Sequence, residues 1–232
     1  MKVSVVVANH GRDLTNLRKS LVESTHKDYE LIVIDRGLER SLQRNLGISK
    51  AAGEIILWLD SDQTISKELM EECVDLVKCG FSAIYVPEVI VADSLFGKIR
   101  AYERTFYDGT AVDVPRAVLR SVCPKFNEEL NGPEDSDFGN RIVGLRTISK
   151  NVLYHHDDIS VGEYFRKKAY YAKSMRKYQE LNPNDKVLNW KYRCITIFLE
   201  NGKWKKIIRH PILFMGVIAI ILSRAVIYLC KR

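Results

Sequence analysis

Ile55-Ile56-Leu57-Trp58-Leu59-Asp60-Ser61-Asp62 decides the fold. Five apolar residues without polar alternation are the pattern of a strand buried on both faces of a parallel sheet, and two carboxylates separated by one residue emerge at its carboxyl end. Val3-Ser4-Val5-Val6-Val7-Ala8 and residues 31–34 repeat the apolar pattern upstream. Helical patterns separate them. Asp13 can cap a helix with Leu14, Leu17 and Leu21 on one face, and Ser66 can cap another with Leu69, Cys73, Leu76 and Val77, closed by Gly80. Strand and helix therefore alternate, which predicts an α/β fold: a mixed, mainly parallel sheet flanked by helices.

Residues 82–87 read as a further strand. The pattern is then irregular through Gly132, with turn signals at Asp108-Gly109 and Asn131-Gly132-Pro133; middles of this kind carry substrate-specific loops. Residues 146–153 are strand-like, and residues 161–181 form one helix with Arg166, Lys173 and Lys177 on a face and Tyr170, Tyr171 and Tyr178 interleaved.

The chain has 232 residues, 46% of them apolar, enough for one sizeable core, and a formal net charge of +7. Basic residues crowd the stretch from Arg166 onward, which calls for an anionic partner there. Five scattered cysteines form no CxxC pair and suit a reducing compartment. The resulting division is residues 1–160 as a catalytic domain, 161–209 as a basic helical region, and 210–232 as a hydrophobic tail. In that tail an apolar run over residues 211–222 is interrupted at Ser223-Arg224 and resumes to Cys230. Its length is near that of a bilayer span, but Arg224 at mid-membrane costs about 3 kcal/mol. Arg224 lies off centre and can snorkel, so a marginal span and an interfacial helix both stay open beside an ordinary buried helix. Lys203, Lys205, Lys206 and Arg209 suit anionic headgroups at a cytoplasmic membrane face.

Position gives Asp60 and Asp62 their meaning. Ligands of open α/β sheets bind at the carboxyl ends of strands, and alternate carboxylates there can hold a divalent ion, Mn2+ or Mg2+, that bridges a diphosphate. Asp35 ends the second strand and can accept from a base N–H, while Arg44, in Arg44-Asn45-Leu46-Gly47, can reach the nucleotide. Taken without context, a bare DxD is an ordinary turn and Arg44 a solvated charge.

These residues resemble glycosyltransferase family two, an inverting family of the GT-A, Rossmann-like fold. Ser4 to Asn9 is similar to its first strand, residues 29–35 to its second, Arg44-Asn45-Leu46-Gly47 to its Arg-Asn-x-Gly helix, and Asp60-Ser61-Asp62 to its metal-binding DxD. The likeness runs over residues 2–171 and departs at Ala8, usually proline, and at Arg36, often aspartate. It implies nucleotide-sugar contacts from Ala8, Asn9, Asp35, Arg44, Asn45, Asp60 and Ser61. In Gly132-Pro133-Glu134-Asp135-Ser136-Asp137 it implies Asp135, with Glu134, as the catalytic pair, and in Tyr154-His155-His156-Asp157-Asp158 it implies a histidine metal ligand, His155 before His156, alongside Asp60 and Asp62. Crowded acids raise at least one pKa if the site is partly buried.

The expected reaction is an inverting transfer from a nucleoside-diphosphate sugar to a glycan or lipid-linked acceptor, preferably polyprenyl-linked, with the tail at a membrane surface. A homo-oligomer stays open. A polyprenyl-phosphate glycosyltransferase is the near alternative. A basic membrane- or nucleic-acid-binding module that makes no bonds is the distant one, supported only by charge and aromatics; the preferred reading involves no nucleic acid. Neither GxGxxG, a P-loop nor GxSxG occurs, which disfavours dehydrogenase, NTPase and serine-hydrolase chemistry.

Overall fold

The computed structural model describes residues 1–37, 39–157 and 159–230; Asp158 of the histidine segment and the Lys231-Arg232 end of the tail lie outside them. Strands β1 (Val3–Ala8), β2 (Tyr29–Ile34) and β3 (Ile55–Asp60) alternate with helices α1 (Thr15–Glu23) and α2 (Arg40–Lys50). There follow β4 (Gln63–Ile65), α3 (Leu69–Lys78), β5 (Ala83–Tyr85), β6 (Glu88–Val91), α4 (Leu95–Arg104), β7 (Ala117–Leu119), α5 (Glu134–Arg141), β8 (Arg146–Ile148) and β9 (Leu153–His156). The last third is helical: α6 (Val161–Ala172), α7 (Met175–Leu181), α8 (Ile197–Leu199), α9 (Trp204–Arg209) and α10 (Pro211–Cys230).

The main sheet runs β2-β1-β3-β7-β5-β8, and a smaller one runs β4-β9-β6. β1 pairs in parallel with both β2 and β3, which is the expected doubly wound unit. Its apolar monotony has a packing cause. Val5, Leu57 and Leu59 join Leu17, Leu21 and Leu69 on one face, while Val6, Ile56 and Trp58 join Phe126 and Phe138 on the other. A Cβ on Gly47 would stand 2.3 Å from Cγ1 of Val6, so α2 approaches β1 as closely as it does only because that residue is glycine.

Three local expectations change. Ser66 caps no helix: its Oγ donates to Asn151 Oδ1 (3.2 Å) and accepts from the Val152 amide (3.2 Å), and α3 starts beyond it without a side-chain cap. Residues 146–153 are two strands in two sheets, because the Glu72 carboxylate takes the amides of Lys150 (2.8 Å) and Asn151 (2.9 Å) and turns the chain between them. The helix over 161–181 is two helices. A Ser160–Glu163 capping box starts α6, and the break at Lys173-Ser174 lets Ser174 Oγ accept from the Asn131 amide at 3.0 Å.

Helix α10 lies against the catalytic unit. Val217 is fully buried with Tyr102, Phe106, Ile197 and Phe198, and a Cβ on Gly216 would meet Ile99 Cδ1 at 2.6 Å. Arg224 does not snorkel; it forms an ion pair with the buried Glu103 of α4. The opposite face carries Ile212, Met215, Leu222 and Val226, exposed by 82, 69, 61 and 59%. Only 11% of Pro211–Tyr228 is buried, so this is no ordinary core helix, and by length and composition it is apolar enough to cross a membrane. Of the four preceding cations, two serve the fold: Lys203 Nζ donates to the Phe106 carbonyl and Lys206 Nζ to that of Thr105, each at 2.6 Å. Lys205 and Arg209 remain exposed.

Candidate active site

Arg44 is the hub. Its side chain is fully buried in α2, with Nη2 donating to Asp60 Oδ1 at 2.7 Å and Nη1 to Asp135 Oδ1 at 2.6 Å. Glu134 stands 3.9 Å from Nη1. The guanidinium carbon lies 4.3 Å from the Trp58 ring centroid, and Arg116 approaches the same ring at 4.1 Å. A solvated helix charge is thereby excluded for Arg44; it joins the DxD turn to the first turn of α5.

The carboxylates differ in consequence. Burial alone would raise the pKa of Asp60, but Arg44, Arg116 and Arg40 outweigh it and hold Asp60 well below the ordinary range. Glu134 goes the other way, raised by burial and then by the charge of Asp135. It is locked as well, with Oε1 3.1 Å from Arg40 Nη2 and Oε2 accepting from the Gly132 amide. Asp135 keeps 30% of its side chain exposed, and its Oδ2 accepts no hydrogen bond among the described residues.

The strand register β4–β9 sets Gln63 opposite His155, which brings His155 Nε2 to 3.3 Å from Asp62 Oδ1. His155 therefore sits in strand β9. Its Nδ1 is 2.6 Å from Glu88 Oε1. Burial opposes the imidazolium, but the bonds to Asp62 and Glu88 prevail and raise its pKa to about 10. Arg12 also pairs with Asp62. His156 is exposed, with Nε2 3.2 Å from Thr64 Oγ1.

On the other side of the β1 end, Asn9 Nδ2 donates to Asp35 Oδ1 at 2.8 Å, and Gln43 Nε2 donates to the Asn9 carbonyl at 2.8 Å. Ala8 lies opposite Ile34 and Asp60 in the sheet. Ser61 occupies the turn between the two aspartates. Asn45 is committed elsewhere: its amide exchanges bonds with the Phe126 backbone (2.7 and 3.0 Å) and donates to Glu128 at 2.7 Å, which fixes the loop under Trp58.

Asp135 and His155 line a common cavity of about 310 Å³, together with Lys167 and with three residues the sequence reading passed over: Arg40, Glu88 and Arg116. One signal pointed to two of them. Arg116 within Val114 to Val118, and Glu88 before Val89-Ile90-Val91, are charges in apolar surroundings, and such charges are buried only when paired. They pair with each other at 3.3 Å.

Among the described residues no three His, Cys, Asp or Glu side chains can hold a metal by themselves. The Asp62–His155 pair nevertheless fits a divalent ion: an oxygen and an imidazole nitrogen 3.3 Å apart, with the far nitrogen anchored on a carboxylate, as metal-bound histidines usually are. Asp60 fits less well, since Arg44 and Arg116 flank its two oxygens at 2.7 and 3.6 Å.

A mainly parallel sheet with paired carboxylates at a strand end and acids across the cleft defines a GT-A type glycosyltransferase. Residues 36–156 match the model of "Glycosyl transferase family 2", and the chain belongs to that family. Among solved structures, it is similar to the crystal structure of S. aureus TarS, with 18% identity, TM-score 0.50, and coverage of 75% of this chain and 40% of that one. It is also similar to TarS 1-349 in complex with UDP-GlcNAc, with 20% identity, TM-score 0.51, and coverage of 74% and 66%. The chain thus spans less than two thirds of either, and at these identities the likeness concerns the fold. No curated protein matches the sequence.

Proposed function

We propose that the protein moves a sugar from a nucleoside-diphosphate sugar to a membrane-proximal glycan acceptor, with inversion at the anomeric carbon. One observation carries this reading: a single buried guanidinium bonds both Asp60, at the strand end that bears the DxD turn, and Asp135, whose carboxylate lines the cavity. The acceptor oxygen attacks the anomeric carbon, its bond to the departing diphosphate oxygen breaks, and Asp135 Oδ2 takes the acceptor proton. Glu134, Arg40 and Arg44 position that carboxylate. Asn9 and Asp35 offer the base its hydrogen bonds, and UDP-GlcNAc, held by the structurally similar TarS, is the first donor to test. Mn2+ or Mg2+ would be held by Asp62 and His155, and would supply neutralising charge to the diphosphate.

Asp62→Ala is expected to abolish the enhancement of UDP binding by Mn2+ in calorimetry, with the melting temperature little changed, because Asp62 is a partly exposed turn residue. An enhancement as large as in the parent chain would remove Asp62 from the ion site.

The exposed apolar stripe of α10 supports attachment to a membrane surface, flanked by Lys205 and Arg209. Changing Ile212, Met215 and Leu222 together to lysine is expected to lower partitioning onto anionic vesicles by about a hundredfold. Vesicle sedimentation reads this, and undiminished binding would discard α10 as the anchor.

A further inference from the structure

Helix α10 has the length of a bilayer span, but it does not stand clear of the catalytic unit. Along one side, Leu213, Val217, Ile220, Arg224 and Tyr228 follow one another at three- and four-residue steps. Leu213 and Val217 join the cluster of Tyr102, Phe106 and Phe198, Ile220 is buried, Arg224 pairs with Glu103, and Tyr228 lines the catalytic cavity. At 1.5 Å per residue this ridge runs for about 22 Å, against about 30 Å for the hydrocarbon core of a bilayer. Most of the helix is therefore bound lengthwise to the rest of the molecule.

The elements beneath it are unsuited to hydrocarbon. Helix α10 packs against α4 and α6. Within its ten residues α4 carries Lys98, Arg100, Glu103 and Arg104, and α6 carries Arg166, Lys167 and Lys168 in succession. Were α10 to cross a bilayer, both helices would stand beside it at membrane depth, and each charge there is costly. The outer side of α10 has the opposite character. Ile212, Met215, Ile218, Leu222 and Val226 are exposed and recur at the same steps, and the exposed Trp204 and Ile208 continue the spacing upstream of the helix break at His210. The exposed Lys205 and Arg209 stand among them. Cations beside the stripe favour an anionic lipid surface over a second copy of the chain, which would bring like charges together.

Resting on the membrane attachment proposed above, we infer that α10 lies in the plane of one leaflet and does not cross the bilayer. Its outer stripe sinks to a uniform depth at the boundary of headgroups and acyl chains, its inner ridge stays on the protein, and the residues before and after it remain on one side of the membrane.

The test places a protease-cleavable tag at each end of the full chain and recovers the protein in sealed membrane vesicles of one orientation. Both tags are expected to be cleaved together or protected together. Cleavage of one with protection of the other would overturn the inference while leaving the attachment intact. Single lysine substitutions at the exposed Ile212, Ile218 and Val226 give a second reading by sedimentation with anionic vesicles. At uniform depth each is expected to weaken binding by about fivefold, the three agreeing within about twofold. A spanning helix instead tolerates lysine near its ends and suffers most at its centre, so a loss concentrated at Ile218→Lys would also overturn the inference. A parent chain that ignores vesicles, whether monomer or dimer, would remove the attachment itself and the in-plane helix with it.

Discussion

Asp135→Asn is expected to lower kcat for transfer by about two to four orders of magnitude, the ordinary yield of a positioned general base, which is the role proposed for Asp135, with little change in donor KM. The amide retains an oxygen for Arg44 Nη1, so the 2.6 Å contact has a neutral substitute, but the second position no longer accepts a proton. Initial rates with UDP-GlcNAc and a membrane-extracted acceptor measure it, beside a melting curve that shows the fold intact. Glu134→Gln is the informative contrast. Glu134 is 2% exposed and tied to Arg40 and Gly132, so in the proposed mechanism it acts through Asp135, and its loss should be the smaller one. Equal losses would exchange the two roles.

Arg44→Met costs about 3–5 kcal/mol of stability, the usual penalty for leaving buried charges without their partner. Methionine fills much of the space over Trp58, so the loss reports charge more than volume. Urea unfolding at neutral pH is the measurement, and a change under about 1 kcal/mol would mean that Arg116 and Arg40 suffice. Lysine should rescue poorly, since one ammonium cannot reproduce a fork spanning two carboxylates. The pH dependence has a definite sign. Asp60 is depressed below its ordinary 3.8, so its stabilising contribution is complete above that value and is lost as the pH falls further. The variant should show a shallower acid-side loss than the parent.

The first half of the chain was legible because its information is local. Residues 5–8 and 55–59 are unbroken apolar runs within their strands, and a run of that kind has one stable environment. The place of Asp60 and Asp62 at a strand end was legible from the apolar run before them, whereas Asp135 was singled out only by the family resemblance. The partnership of Arg44 with Asp60 and Asp135 was not legible, because 91 residues separate Arg44 from Asp135 and no spacing rule reaches so far. His155 stood in the right neighbourhood, yet only the antiparallel register against Gln63 shows why it, and not His156, meets Asp62. Ser66 misled for a similar reason: its hydroxyl has a local use as a cap and a distant one at Asn151 and Val152, and the distant one prevails. In the tail, hydropathy gave the apolar length but not the partner of Arg224, since Glu103 lies 121 residues earlier.

The close seat of Gly216 on Ile99 and the tie between Arg224 and Glu103 hold α10 against α4 at two points along its length. Under the proposed attachment to a membrane surface, the mouth above Asp135 would keep a constant height over the headgroups. The protein would then behave as a ruler, reaching hydroxyls at one distance from the bilayer and passing over chemically identical ones that stand nearer or farther away.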